Sequence, residues 1–138
     1  MHRDFEHTPG AGAAGGMGFG LLTFANAILQ SGVDMVLNAV DFSDRVKAAD
    51  LCLTGEGKMD GQSMSGKACI GVAKLAKQHN VPTIALVGTA TDEAKQAKQF
   101  GLTDYVTIGP GLSQEESRKR ASELLEHATM RVIESQMC

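Results

Sequence analysis

Paired cysteines, basic runs and long apolar stretches are what this sequence lacks. Cys52, Cys69 and Cys138 are odd in number, widely spaced and form no C-x-x-C. That pattern excludes a zinc ribbon and a disulfide framework, and buried free thiols are the expectation for Cys52 and Cys69. His2, His7, His79 and His127 are just as scattered, so a His/Cys metal site is not expected. Thirteen basic against 16 acidic residues give a net charge of −3. With no Lys/Arg run forming a basic patch, a nucleic-acid partner is not expected. No apolar run approaches the roughly 18 residues of a membrane span, and no signal peptide is visible. These absences predict a cytoplasmic protein with no membrane or nucleic-acid partner.

What remains is ordinary in bulk and unusual in one residue type. The 138 residues are 43% hydrophobic and 21% charged, which suits one globular domain with a real core. Glycine is the outlier. Sixteen glycines make about 12% of the chain against a usual 7% or so. They gather at Gly10–Gly20 and Gly55–Gly71, which marks two loops rather than a flexible chain.

Apolar periodicity sets the expected elements. Residues 1–9 read as a loop closed by Pro9. A helix is expected from Gly20 to Gln30 with Leu21, Leu22, Ala25, Ile28 and Leu29 on one face, then a shorter one over Val33–Val40. Ser43 or Asp44 caps a turn carrying Val46 to Ala49. Asp50–Thr54 reads as a buried strand, and Ser65–His79 as a helix burying Cys69, Val72, Ala73 and Ala76. Thr83–Val87 is a second strand stopped by Gly88, followed by a helix over Thr91–Phe100. Tyr105–Ile108 is a third strand. Ser113 with Glu116 forms a capping box for a last helix reaching Glu134, its apolar face Ala121, Leu124, Leu125, Ala128 and Val132. Alternating strands and helices predict an α/β fold: a three-layer, Rossmann-like or flavodoxin-like parallel sheet with helices on both faces and right-handed crossovers. Three strands are few for such a sheet, and the chain opens on helices, so the sheet is expected to be incomplete, its N-terminal strands absent.

Three loops compete for chemistry. Gly10–Gly15, GAGAAG, fits G-x-G-x-x-G, but a dinucleotide fingerprint needs an apolar strand before it, and Asp4–Pro9 supplies none. An NAD-binding Rossmann domain is therefore the weakest alternative, and a helix N-terminus meeting an anion is preferred. Gly61–Ala68, GQSMSGKA, nearly fits a Walker A loop, yet Ala68 stands where the Mg²⁺-binding hydroxyl belongs. The segment Gly55–Gln62 sets Glu56, Lys58 and Asp60 among glycines beyond a strand end, where ligands of open α/β sheets collect.

Together, PGAGAAGG at Pro9–Gly16, ADLCLTGEGKMDGQSMSGKACIGVAK at Ala49–Lys74 and VPTIALVG at Val81–Gly88 resemble the glycerate kinase family of bacterial organic-acid metabolism. LSQEESRKRASELLEHAT at Leu112–Thr129 is similar to that family's C-terminal helix. The resemblance implies transfer of the γ-phosphoryl of ATP to a glycerate hydroxyl with Mg²⁺, in a cleft between two α/β domains. Family members are much longer, so residues 1–138 would correspond to one α/β domain in their C-terminal part. The matching positions are Gly10, Gly12, Gly15 and Gly16, then Thr54, Gly55, Glu56, Gly57, Asp60, Gln62, Gly66 and Lys67. Lys58 stands where the family often has arginine. On this reading the catalytic set is Asp60, Glu56 and Lys67. Asp60 or Glu56 would bind Mg²⁺ or take the hydroxyl proton; Lys67 and Lys58 would neutralise phosphate or the glycerate carboxylate. The glycines with Lys58 and Gln62 would border ATP. A non-catalytic binding module, dimerising through uncovered apolar surface, is the alternative.

Overall fold

The computed structural model describes residues 5–136, the side chain of Ser65 apart; His2 and Cys138 lie outside the described residues. Strands β1 (Cys52–Met59), β2 (Thr83–Ala90) and β3 (Asp104–Thr107) form a parallel sheet in the order β1-β2-β3. Thr54 lies beside Ala85, Glu56 beside Val87, and Ala85 beside Tyr105. From Thr83 to Val87 every residue of β2 is buried, the continuous run that a strand covered on both faces needs. Its alternate residues divide between two layers. Ala85 and Val87 pack with Cys69, Ile70 and Ala73 of α4 (Ala68–Gln78) and with Ala94 and Ala97 of a 3-10 helix, Asp92–Phe100. Ile84 and Leu86 pack on Ala128 and Val132 of α6 (Ala121–Gln136). Burying one side chain the size of Val87 or Ile70 contributes about 1.5–3 kcal/mol, so these two faces are the main source of stability. The three-layer α/β expectation holds. Both crossovers share one face of the sheet, as connections of one hand stepping one way across it require.

The strands differ from expectation in length. β1 continues through Met59 and β2 through Ala90, so Gly55, Glu56, Gly57 and Lys58 are strand residues rather than a loop. The ladder explains this: Glu56, Lys58 and Met59 have Val87, Thr89 and Ala90 beside them. Gly88 does not stop the strand. A Cβ there would lie 2.5 Å from the Gly57 carbonyl oxygen, so its missing side chain is what lets β1 and β2 stay paired. β1 is also less buried than expected, with Leu53 37% exposed, because it is the edge of the sheet.

The helices follow the sequence with local shifts. α1 (Ala13–Ala25) ends at Asn26 in the left-handed region rather than reaching Gln30. Of its expected apolar face, Leu22 is buried while Leu21, Ala25 and Ile28 are exposed. α2 (Gly32–Ala39) is capped by Ser31, whose Oγ accepts from the Asp34 N–H, and α3 (Phe42–Val46) follows Asp41. α4 begins three residues later than predicted because Gly61–Ser65 forms a separate 3-10 helix. The segment before Gly101 is 3-10 rather than α. The Ser113–Glu116 capping box is present, but its helix divides at Arg120 into α5 (Gln114–Lys119) and α6.

Candidate active site

Strand alternation sends Glu56 toward α4 and leaves Gly55 and Gly57 on the α6 face. At the carboxyl end of β1 the chain then meets Asp60 before the 3-10 helix, and Gly66 in the left-handed region turns it into Lys67, the N-cap position of α4. The result is a chain of alternating charge. Lys67 Nζ lies 3.2 Å from Glu56 Oε1 and 3.8 Å from Asp60 Oδ1, and Lys58 Nζ lies 3.3 Å from Asp60 Oδ2. The carboxylates are the sheltered members, at 15% exposure for Glu56 and 19% for Asp60, against 40% for Lys67 and 60% for Lys58. Ion pairs this open to water contribute little to stability, so packing alone does not explain the arrangement.

The two acids differ in what they are free to do. Asp60 caps the 3-10 helix: its Oδ1 accepts from the Gln62 N–H at 3.0 Å, and its own N–H donates to Ser63 Oγ at 3.2 Å. Ser63 is fully buried and its hydroxyl also lies 3.4 Å from the Lys58 carbonyl oxygen. The hydrogen bond from Lys58, aided by the charge of Lys67, holds the Asp60 carboxyl below the usual carboxylate range against the opposing effect of burial. Asp60 is therefore a fully engaged carboxylate. Glu56 is not. Its Oε2 is buried and has no hydrogen-bond partner. Leaving such an acceptor unsatisfied costs about 1–3 kcal/mol, and an arriving hydroxyl or cation would remove that cost.

Thr54 turns its hydroxyl to Cys69 Sγ at 3.6 Å, which places it in the support of the site rather than at its mouth. Burial raises the Cys69 thiol above its ordinary range, so this cysteine is a packing residue and not a nucleophile; Cys52, half-buried, is raised for the same reason. Gln62 contributes its backbone N–H to Asp60 and keeps an exposed side chain.

The Gly10–Gly16 loop stands apart from this cluster. Ala14, Gly15 and Gly16 take left-handed backbone angles, with φ of 51°, 68° and 92°, and interrupt α1 near its start. The loop spends its donors locally: Ala13 N–H to the Gly10 carbonyl, Gly16 N–H to that of Gly12, and Phe19 N–H to that of Ala11. A Cβ at Gly18 would lie 2.5 Å from the Gly10 oxygen, so the loop is folded against its own helix. None of these bonds reaches β1, and no strand precedes the loop among the described residues.

Gly55, Glu56, Gly57 and Lys58, all named from the sequence, also border a cleft whose other walls sequence reasoning missed. It encloses about 630 Å³ over Gly55, Gly57 and Gly88, walled by Leu86, Ile108 and Leu125, with Arg118 also lining it. The i, i+2 glycines of β1 opposite Gly88 are the one signal that could have found it; nothing in α5 or α6 announced Arg118. Among the described residues, no group of three or more His, Cys, Asp or Glu is placed to hold a metal alone. Two carboxylates with one free oxygen nonetheless suit Mg²⁺, which takes one or two carboxylates and completes its shell with water and substrate phosphate.

Comparison with known proteins identifies the relatives of this chain. The profile of the glycerate kinase family matches residues 1–137. A glycerate kinase of Bacillus subtilis (strain 168) is 42% identical over 132 residues, covering 95% of this chain and 35% of that protein. The glycerate 2-kinase of Escherichia coli (strain K12) is 42% identical over 108 residues, 78% of this chain and 28% of its own length. A crystal structure described as a glycerate kinase 2 from Salmonella typhimurium LT2 superposes with a TM-score of 0.64 at 34% identity, over 93% of this chain and 32% of that one. The chain thus spans about a third of the length of the relatives it matches. It belongs to the glycerate kinase family.

Proposed function

We propose that this chain forms the part of a glycerate kinase that carries the phosphoryl-transfer cluster, moving the γ-phosphoryl of ATP to a glycerate hydroxyl. The observation that carries the reading is the unpartnered buried Oε2 of Glu56 beside the Lys67 ammonium. Phosphoryl transfer needs positioning and charge neutralisation more than covalent chemistry from the protein. Glu56 Oε2 accepts the hydrogen of the glycerate hydroxyl and orients that oxygen for attack. Lys67, held between Glu56 and Asp60, presents positive charge to the moving phosphoryl group. Lys58, the most exposed of the four, meets the outer phosphates or the glycerate carboxylate. Asp60 sets the positions of both lysines. Glu56, through that same free oxygen, or Asp60, in exchange for its pairing with Lys58, would also hold Mg²⁺, which when bound draws charge from the phosphate oxygens.

Because the chain covers 35% of the Bacillus subtilis enzyme, the reading is tested in a full-length setting. A chimera in which these residues replace the matching third of that enzyme is expected to release ADP in a glycerate-dependent manner. A folded chimera with no turnover would contradict the proposal.

A further inference from the structure

We infer that the cleft between the glycine floor of the sheet and α5–α6 is the seat of the adenine nucleotide, a site distinct from the Gly10–Gly16 loop. The inference rests on the phosphoryl-transfer reading and says where its nucleotide lies. β1 serves two faces with alternate residues. Glu56 belongs to the charged cluster and also borders the cleft, while Gly55 and Gly57 form the cleft floor on the α6 side. At Gly57 a Cβ would meet nothing within 4 Å, so the floor is open space and not tight packing. A flat ring can lie on bare backbone there, between Leu86 and Ile108 on the sheet and Leu125 on α6. Glycerate, a three-carbon hydroxy acid, has no apolar surface to match those walls and would leave most of about 630 Å³ unfilled.

The charge in the cleft fits the other half of a nucleotide. Arg118, Lys119 and Arg120 are consecutive, yet they differ in use. Lys119 pairs with Glu115 at 2.7 Å and Arg120 with Glu123 at 2.7 Å, both outside the cleft. The Arg118 side chain lines the cleft and, among the described residues, has no hydrogen bond or ion pair. The Arg118 guanidinium has no carboxylate partner, and the one acid that lines the cleft, Glu56, is already paired with Lys67; with Lys58 also lining it, the cleft suits a bidentate phosphate contact at Arg118. Lys58 in turn bonds Asp60 of the cluster, so the cleft and the cluster meet at the carboxyl end of β1. A nucleotide with its base over Gly57 runs its phosphates toward the Lys58–Lys67 end, where transfer is proposed.

The test is calorimetric titration of this chain with ADP in the absence of magnesium. Arg118→Ala, an exposed helix position, is expected to weaken ADP binding at least about tenfold. Gly57→Val fills the floor with a strand-favouring side chain and is expected to abolish measurable binding; an unchanged circular-dichroism spectrum shows that it folds. Arg120→Ala, remote from the cleft lining, is expected to bind as the parent does. Undiminished ADP binding in both Arg118→Ala and Gly57→Val overturns the inference, and so does no binding by the parent at millimolar ADP. Inorganic pyrophosphate binding as tightly as ADP also overturns it, because the apolar walls then contribute nothing. The phosphoryl-transfer reading falls on a separate result, the turnover of the chimera.

Discussion

Asp60 and Glu56 are four residues apart and carry the same functional group, yet their surroundings give them different work. Asp60 accepts from the Gln62 N–H and pairs with Lys58 and Lys67, whereas Glu56 keeps one buried oxygen free. The sequence placed both acids at the site but could not divide their roles, since hydrogen-bond satisfaction depends on Ser63 and Lys58 arriving from either side. The lowered pKa of Asp60 has a consequence for stability. A carboxylate depressed below its unfolded value of about 3.9 stabilises the fold above that pH and loses the contribution as pH falls through the folded value. Asp60→Asn keeps a good N-cap and removes only the charge. The difference in melting temperature between the parent and Asp60→Asn is expected to stay constant from about pH 7 to 5, then shrink below about pH 4. A difference that grows in acid would contradict this account of the pairing.

At the scale of elements, the sequence revealed the order of strands and helices and the capping box at Ser113. It misplaced the ends of β1 and β2. Gly88 reads as a stop when only the chain before and after it is considered. Its reason is across the sheet, in the Gly57 carbonyl that a Cβ would strike. Strand ends in a parallel ladder depend on partners about thirty residues away, as Glu56 depends on Val87, and local propensity is silent about them. The two glycines should therefore respond differently to the same methyl group. Gly88→Ala is expected to destabilise the fold by about 1–3 kcal/mol in urea unfolding, the usual cost of forced overpacking. Gly57→Ala, where the Cβ meets open space, is expected to change stability little. Equal losses at both positions would show that the close approach is not what fixes Gly88.

For the whole molecule, the sheet and the α4 side are well packed, while apolar exposure collects in residues 17–40. Phe24 is 89% exposed and Ile28 84%, with Met17, Leu21, Met35 and Val36 also open. Periodicity predicted a buried face over Leu21–Leu29 because it reports an amphipathic stripe and not what covers it. The same limit hid the far wall of the cleft, which comes from helices some sixty residues downstream of β1. The charged cluster was legible because its members lie within Glu56–Lys67. The central claim concerns that cluster, and the most direct measurement is kcat of the full-length chimera carrying Glu56→Gln. If the free Glu56 oxygen orients and deprotonates the acceptor hydroxyl, kcat falls at least about a hundredfold while the chimera stays folded, as its circular-dichroism spectrum shows. An unaltered kcat would contradict the account.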